Sequence, residues 1–272
     1  MTVKARKAGE ATAEAPAAAA RPAYEGPRSP VRVMQIVEAL AEAPQGISLA
    51  LLARQLDLPK TSLLNHLRVM VGSGHVALKD SVYVLGPAAV RLGLIIFAGS
   101  GALAAIGPIT RELAATSGET SLCGMIDQDA GEVIYVEMHE GWQHIRYSPP
   151  RGTRRPLYCS GMGRALLAWQ DEPFLHRYVD GTKFESLNGN TVTSPAKLRK
   201  IFEQIRADGY AVTMGERIAD LGAIASPIVD RQGRVQYSIG VVLPVTRIGP
   251  SRERMAELVK AAAQRASWAL GA

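Results

Sequence analysis

Hydrophobic residues recur at helical spacing in residues 58–71. At about 100° per residue, one face of this segment is apolar and the opposite face is mostly polar. The apolar face consists of Leu63, Leu64, Leu67, Met70 and Val71. The pattern predicts a helix with one packed side. Pro59 suits its first position, because the N–H that proline lacks would be unpaired there.

A second, shorter helix is predicted just before this one. Ser48 is a good N-cap for residues 49–56, whose Leu52, Ala53 and Leu56 can face the same core. Only Asp57 and Leu58 separate the two helices. A link this short is typical of a helix-turn-helix.

A β-hairpin is predicted after the second of these helices. Residues 76–79 and 82–85 read as two strands around Asp80-Ser81, after a stop at Gly72-Ser73-Gly74. A further helix from Ser29 to before Pro44 completes a three-helix core. Helix-turn-helix followed by hairpin is the arrangement of a winged helix.

The exposed face of the helix over residues 58–71 suits DNA. Lys60 and Arg68 can neutralise phosphates, while Thr61, Ser62 and Asn65 are short enough to reach base edges in the major groove. The alternative stays open at this point, because small three-helix cores with the same spacing occur in proteins that never bind DNA.

A linker helix and an α+β region are predicted beyond the hairpin. Val90, Leu94 and Ile95 recur at helical spacing within residues 86–98, and such an apolar linker is expected to make dimer contacts. Later residues mix both element types. The predicted strands are 120–126, 132–138, 144–147, 223–229 and 235–243, and the predicted helices are 109–116, 160–169, 193–208 and 251–270.

Composition supports two folded domains with a basic N-terminal part. The chain has 272 residues, of which 47% are hydrophobic, and a formal charge of +6. Residues 1–98 hold 11 Lys and Arg against 7 Asp and Glu, which leaves 20 against 18 for the remainder. This modest asymmetry agrees with DNA binding, although a solvated basic face looks the same.

We expect a soluble cytoplasmic protein with reduced thiols. Cys123 and Cys159 lack the spacing of a zinc site or disulfide framework, so we expect two buried core thiols. The alanines at 17–20 do not form a secretory signal core. The longest apolar run, residues 92–109, is broken by glycines and Pro108 and is too weak to be a membrane span.

An enzyme is the main rival class, and its possible features are weak. Gly161-Met162-Gly163 lacks the context of a cofactor loop. His139 and His144 have no evident acidic third ligand, and neither cysteine has a motif that places it beside a histidine. Glu132 and Glu137 point to opposite faces of one strand. We therefore expect no catalytic residues, cofactor or metal.

The order of these parts resembles the IclR family of bacterial transcription regulators, over about residues 29–272. The segments that carry the resemblance are Ile47-Ser48-Leu49 with Leu52-Ala53-Arg54, Leu58-Pro59-Lys60-Thr61-Ser62, Tyr83-Val84-Leu85-Gly86, Gly131-Glu132-Val133-Ile134-Tyr135-Val136, Ser160-Gly161-Met162-Gly163-Arg164-Ala165-Leu166-Leu167-Ala168, Asp208-Gly209-Tyr210-Ala211-Val212 and Ala223-Ile224-Ala225-Ser226-Pro227-Ile228.

The resemblance implies an α+β protein with a winged helix-turn-helix domain, a linker helix that dimerises and a GAF-like effector domain. It implies homodimers, or tetramers formed from dimers, that change their affinity for operator DNA when a small metabolite binds. We divide the chain into an unstructured tail (1–28), a DNA-binding domain (29–86), a linker and dimerisation helix (87–104) and an effector-binding domain (105–272).

By position, the resemblance assigns DNA contacts to the recognition helix and the wing. They are Lys60, Thr61, Ser62, Asn65, Arg68 and Lys79. At the position of Asn65 the family frequently has arginine. Asparagine pairs with adenine where arginine prefers guanine, so operator choice is expected to depend on Asn65.

The same resemblance assigns an effector pocket. Its positions here are His144, Tyr147, Arg155, Gly161, Met162, Thr213, Leu221, Ala223, Gly240 and Val242. The guanidinium of Arg155 offers a fork for a carboxylate, and Gly161, Ala223 and Gly240 are expected to leave room for a ring. The hypothesis is an aromatic carboxylic acid of the hydroxybenzoate, protocatechuate or phthalate type.

Three alternatives to this pocket hypothesis stay open. Arg155 can instead point to solvent beside Arg151 and Arg154, as part of an ordinary basic loop. The effector can be a small aliphatic keto acid. Less expected is a DNA-binding protein without a ligand.

Overall fold

The computed structural model describes residues 28–272, except for the side chains of Phe97 and Ala98. The predicted tail therefore lies outside the described residues, apart from Arg28, where the first helix begins. The N-terminal elements are α1 (Arg28–Ala41), β1 (Ile47–Ser48), α2 (Leu49–Gln55), α3 (Lys60–Gly72), β2 (Val76–Lys79), β3 (Val82–Leu85) and α4 (Pro87–Gly99).

The first six elements form the predicted winged helix-turn-helix. β1, β3 and β2 make an antiparallel sheet in that order, so β1 adds a short strand to the expected hairpin. Ile36, Leu52 and Leu63 are fully buried between the helices. Val71, predicted for the packed face, is 40% exposed, because Met70 is the last buried position of α3.

Backbone hydrogen bonds close the turn between α2 and α3. The Asp57 N–H donates to the Arg54 carbonyl at 3.4 Å, and the Leu58 N–H donates to the Ala53 carbonyl at 3.0 Å. Asp57 adopts a left-handed conformation with φ 50°, which aspartate tolerates better than most residues. Pro59 precedes the first helical residue, one position earlier than predicted, and its carbonyl accepts from Leu63.

The C-terminal region is an antiparallel sheet covered on both faces. Its strands lie in the order β6-β5-β4-β9-β8-β7. Its elements are α5 (Gly101–Ser117), β4 (Thr120–Asp127), β5 (Glu132–His139), β6 (Arg154–Pro156), α6 (Gly161–Leu167), α7 (Glu172–Gly181), α8 (Pro195–Asp208), β7 (Ala211–Met214), β8 (Leu221–Val229), β9 (Val235–Pro244) and α9 (Val245–Ala269).

Two cores sandwich this sheet. On one face, α6, α7 and α8 pack around Met162, Phe174 and Phe202. On the other face, α5 and α9 bury Ile106, Val259 and their neighbours. Side chains alternate between the two cores along each strand, because successive residues of a strand point to opposite faces.

The structure corrects several predicted elements. Residues 144–147 are irregular rather than a strand, and β6, which was not predicted, pairs with β5. Polar and apolar residues alternate in this segment as they do in a half-buried strand, but its apolar residue Ile145 is exposed and packs against no core of the described residues. α5 begins before the predicted residue 109 and α9 before residue 251, since both continue through a proline, Pro108 and Pro250. α7 and β7 were not predicted.

Both cysteines are buried and free, as expected. Cys123 belongs to the core under α5 and α9, and Cys159 belongs to the opposite core. Among residues 28–272, no single helix has the length and apolarity to cross a membrane. Residues Pro87–Ile96 and Gly101–Ser117 meet those requirements only as a pair bent by 87°.

Candidate functional site

The polar face of α3 is free to contact a partner. Lys60, Thr61, Asn65 and Arg68 are exposed and Ser62 is half-buried, while Leu63, Leu67 and Met70 anchor the opposite face in the core. Neither Lys60 nor Arg68 forms an ion pair with any residue between 28 and 272. Their charges are therefore not neutralised within the described part of the chain.

The wing and the end of α2 add two more cations beside this face. Lys79 is exposed at the last paired position of the hairpin, next to the left-handed turn residues Asp80 and Ser81. Arg54, which was not among the DNA contacts assigned from the sequence, is exposed in the last turn of α2. Its position within the helix-turn-helix, next to the turn between α2 and α3, suits a phosphate contact.

A second candidate site is a narrow cavity between α6 and the sheet. Its volume is ≈ 50 Å³. It is lined by Tyr135, Tyr147, Cys159, Ser160, Gly161, Thr213, Glu216, Arg217, Ile218, Leu221, Gly222, Ala223 and Val242. Across the sheet, Thr213 pairs with Ala223 and Ala223 with Val242, so these three residues form a row on the floor.

Six of the ten residues assigned to the pocket from the sequence line this cavity. They are Tyr147, Gly161, Thr213, Leu221, Ala223 and Val242. The remaining four lie elsewhere: His144 is exposed, Arg155 lies behind Tyr147, and Met162 and Gly240 are buried in the core. The structure therefore brings together only part of the predicted pocket, mainly its residues on the sheet and at the start of α6, with Tyr147 beside them.

The glycines do not leave room for a ring, contrary to the sequence expectation. A Cβ on Gly240 would lie 2.7 Å from the Cε of Met162 and closer still to the backbone of β8. A Cβ on Gly161 would lie 2.8 Å from the Cβ of Ala223. Both glycines instead allow α6 and the strands to pack closely.

Arg155 is directed at Tyr147 and not at solvent. Its Nη2 donates to the Tyr147 hydroxyl at 2.9 Å, and its Nη1 donates to the Arg154 carbonyl at 2.7 Å. Its Nε is buried and has no acceptor among residues 28–272. By contrast, Arg151 pairs with Glu137, and Arg154 pairs with Asp127 and Glu132. The three neighbouring arginines thus have different environments.

Arg217 is one of seven lining residues that were not assigned to the pocket from the sequence. It lies in the loop between β7 and β8, where no hydrophobic periodicity marks a position, and its side chain is half-buried in the cavity wall. Its guanidinium forms no hydrogen bond or ion pair with residues 28–272. The free guanidinium gives the cavity a positive charge.

Burial and nearby positive charges have opposite effects on the pKa values of two groups in the cavity wall. Burial raises the pKa of the Tyr135 hydroxyl, and the nearby guanidiniums of Arg155 and Arg217 act in the opposite direction. Burial likewise raises the pKa of the Cys159 thiol to about 11, against the influence of Arg217 and Arg164. Arg155 and Arg217 thus both lower the pKa of the Tyr135 hydroxyl, but burial has the larger effect.

A buried ion pair holds the loop that carries Arg217. Arg164 of α6 is only 1% exposed, and its guanidinium forms a two-pronged contact with the Glu216 carboxylate. Its Nε donates to the Tyr158 carbonyl at 2.7 Å. Glu216 also accepts from the Val192 N–H at 3.2 Å. These bonds hold Glu216 in place. The backbone of the next residue, Arg217, is therefore held as well.

Comparison with known families identifies the architecture. A model described as "Bacterial transcriptional regulator IclR C-terminal" matches residues 100–268, and one described as "IclR helix-turn-helix domain" matches residues 29–78. The chain belongs to the IclR family. It is a transcriptional regulator with a helix-turn-helix DNA-binding domain and a ligand-binding C-terminal domain, as the sequence analysis predicted.

Individual IclR-family proteins are similar over almost the whole chain. The HTH-type transcriptional regulator BhcR of Paracoccus denitrificans is 32% identical over 99% of this chain and 96% of its own length. The transcriptional repressor IclR of Escherichia coli is 29% identical over 91% of this chain and 92% of its own length.

Solved structures show the same fold. The IclR-type regulator of Alicyclobacillus acidocaldarius superposes with a TM-score of 0.80 at 23% identity, covering 91% of this chain and 100% of that one. An IclR homolog of Microbacterium hydrocarbonoxydans, solved with 4-hydroxybenzoate, has a TM-score of 0.78 at 22% identity, with coverage of 89% and 98%.

The substitution Glu216→Gln tests the buried pair. It preserves shape but leaves the Arg164 guanidinium buried without a counter-charge, so we expect the free energy of unfolding of the effector domain to fall by about 3 kcal/mol. Chemical denaturation of the full chain measures this. The control is Glu112→Gln, whose exposed pair with Arg265 at 2.9 Å should contribute less than about 1 kcal/mol. Equal losses in the two variants would contradict the assigned role of the pair.

Proposed function

We propose that the protein regulates a catabolic operon by sensing a small carboxylic acid at the α6 cavity. The observation that carries this is the Arg217 guanidinium, which lines the cavity and has no partner among residues 28–272. A guanidinium binds a carboxylate through two parallel hydrogen bonds. Neutral or cationic ligands would leave this charge unmatched.

The phenols next to Arg217 support a ligand with further acceptors. The Tyr147 oxygen accepts from Arg155, so its own proton remains available to donate into the cavity. The Tyr135 hydroxyl makes no hydrogen bond with residues 28–272 and lies at the same wall. Guanidinium and phenol donors together suit a carboxylate that carries a second oxygen, as in an oxo acid.

The size of the cavity favours a short aliphatic acid over an aromatic one. Its volume of ≈ 50 Å³ is about a third of the roughly 150 Å³ of an engineered cavity that takes up benzene. An aromatic acid is the second candidate, supported by the flat surfaces of Tyr135 and Tyr147. The 4-hydroxybenzoate bound to the Microbacterium homolog indicates that this fold can accept such a ring. Here it would require the β7–β8 loop to move outward.

The substitution Arg217→Gln tests carboxylate sensing. Loss of a charged hydrogen bond, worth about 1.5–3 kcal/mol, is expected to weaken binding by about tenfold or more. Isothermal titration calorimetry of the full chain with pyruvate and with 4-hydroxybenzoate measures the effect and ranks the two acid classes. Arg199→Gln, on the exposed surface of α8, is the matched control. Unchanged affinity in Arg217→Gln would exclude this arginine as the anchor.

For DNA, we propose that α3 lies in the major groove of a double-stranded operator, in the cytoplasm. Thr61, Ser62 and Asn65 would contact base edges, and Lys60, Arg68 and Lys79 would contact phosphates. The exposure of these side chains and the burial of the opposite face of α3 support this orientation.

The substitution Asn65→Arg tests base reading. Because asparagine pairs with adenine and arginine with guanine, a binding selection from random DNA should show one adenine replaced by guanine in each half-site. The control Lys60→Gln should instead weaken binding to all sequences and lower the salt dependence. An unchanged preference in Asn65→Arg would remove Asn65 from the base-contacting set.

We also propose a homodimer formed through α4. Leu94 and Ile96 are 65% and 64% exposed, and Val90, Leu92 and Ile95 are similarly uncovered on this helix. An apolar surface of this kind on a linker helix is typical of an interaction site. Two copies would present two recognition helices to a symmetric operator.

The substitution Leu94→Asp tests this interface. A carboxylate buried in an apolar contact is unfavourable, so we expect the sedimentation coefficient to fall to that of the monomer at micromolar concentration. Arg91→Asp, which adds the same group at a polar position of α4, should leave the assembly intact. The same measurement distinguishes a dimer from a dimer of dimers. A dimer that survives Leu94→Asp would place the interface elsewhere.

A further inference from the structure

We infer that the effector is a short dicarboxylate, held between the guanidinium groups of Arg217 and Arg155. This inference rests on the proposed function, namely carboxylate sensing at the α6 cavity, and adds the charge of the ligand. It depends on the balance of charges around the cavity, on an unsatisfied donor and on the cavity size.

The charges at the cavity wall do not balance. Glu216 is the acidic residue of the lining, and Arg164 already neutralises it through two hydrogen bonds. Two acidic residues of the neighbouring strands, Asp127 of β4 and Glu132 of β5, contact Arg154. Arg155 and Arg217 form no ion pair with residues 28–272, so two positive charges remain.

Partly buried charges are stable only when they are paired, hydrogen-bonded or solvated. A monocarboxylate entering this cavity would neutralise only one of the two guanidiniums. A dicarboxylate would match both charges. The structure therefore favours a ligand with two negative charges over one of the same size with a single charge.

The hydrogen bonds of Arg155 also favour a ligand with a second negative charge. The Nη1 and Nη2 groups of Arg155 each donate one bond, but its buried Nε has no acceptor among the described residues. Buried donors in folded proteins nearly always have a partner. No described protein group therefore fully satisfies Arg155, and its charge can act on a ligand at the Tyr147 side of the cavity.

Both cations lie at this cavity, because Arg217 lines it and Arg155 donates to the hydroxyl of Tyr147, another lining residue, at 2.9 Å. With a cavity of ≈ 50 Å³, the two carboxylates are expected to be separated by a short chain, about two to four carbon atoms in total. Arg217 would bind one end directly. Arg155 would act on the other end through the Tyr147 hydroxyl, which accepts from Arg155 and can donate its own proton to the ligand.

Isosteric ligand pairs test this without altering the protein. Malonate and succinate differ from their monoamides, malonamate and succinamate, by one charge at nearly constant shape. Calorimetric titration of the full chain should show the better dicarboxylate binding at least about tenfold more tightly than its monoamide, as expected for one added charged contact. In Arg155→Gln, this ratio should fall to within about threefold while the monoamide still binds.

The other outcomes separate the two claims. If pyruvate or a monoamide binds as tightly as either dicarboxylate, the ligand is not a dianion and this inference fails, while carboxylate sensing stands. If no monocarboxylate or dicarboxylate binds to wild-type protein, both claims fail. If the preference for the dicarboxylate persists in Arg155→Gln, Arg155 does not recognise the second carboxylate, and the inference that the ligand lies between Arg155 and Arg217 fails.

Discussion

The buried pair of Arg164 and Glu216 is the contact on which the candidate effector cavity depends. It joins α6, the segment before it and the β7–β8 loop, because Arg164 also bonds to the Tyr158 carbonyl and Glu216 to the Val192 N–H. A buried arginine is strongly destabilising without a counter-charge. The pair therefore restricts the position of the loop and places Arg217 at the cavity wall.

The same region explains why α6 packs so closely on the sheet. Gly161 and Gly240 allow the helix and strands to approach, and Met162 fills the space above Gly240. Close packing leaves a small cavity, and the free guanidinium gives it a positive charge. Small volume and positive charge together favour a short anionic ligand over a large or neutral one.

The cavity and the linker helix are connected through the sheet. The cavity floor includes Val242 of β9, which pairs with Thr120 of β4. The next residue, Ser121, faces the other core and donates to the Thr110 carbonyl of α5 at 2.5 Å. Since α5 directly follows α4, a ligand-dependent shift of β9 and β4 has a direct route toward the proposed dimer helix.

The sequence was sufficient to predict those elements whose structure follows from local hydrophobic periodicity. α3, the wing, α6 and the paired strands β8 and β9 follow from patterns that span a single element, so they were predicted. The cavity is different, because its charged residues come from segments without periodicity. His144 was assigned by its position in the family but is exposed, whereas Arg217 has no sequence signal and was found only from the fold.

The central claim is that a carboxylate bound at Arg217 changes the affinity of the helix-turn-helix for DNA. Fluorescence anisotropy with a labelled operator, recovered by binding selection, tests it in wild type and Arg217→Gln. The titrations are run without ligand and with saturating pyruvate, malonate or 4-hydroxybenzoate. We predict that at least one acid changes the operator Kd of the wild type by about tenfold and leaves that of Arg217→Gln unchanged. An equal change in both proteins, or none in the wild type, would contradict the account.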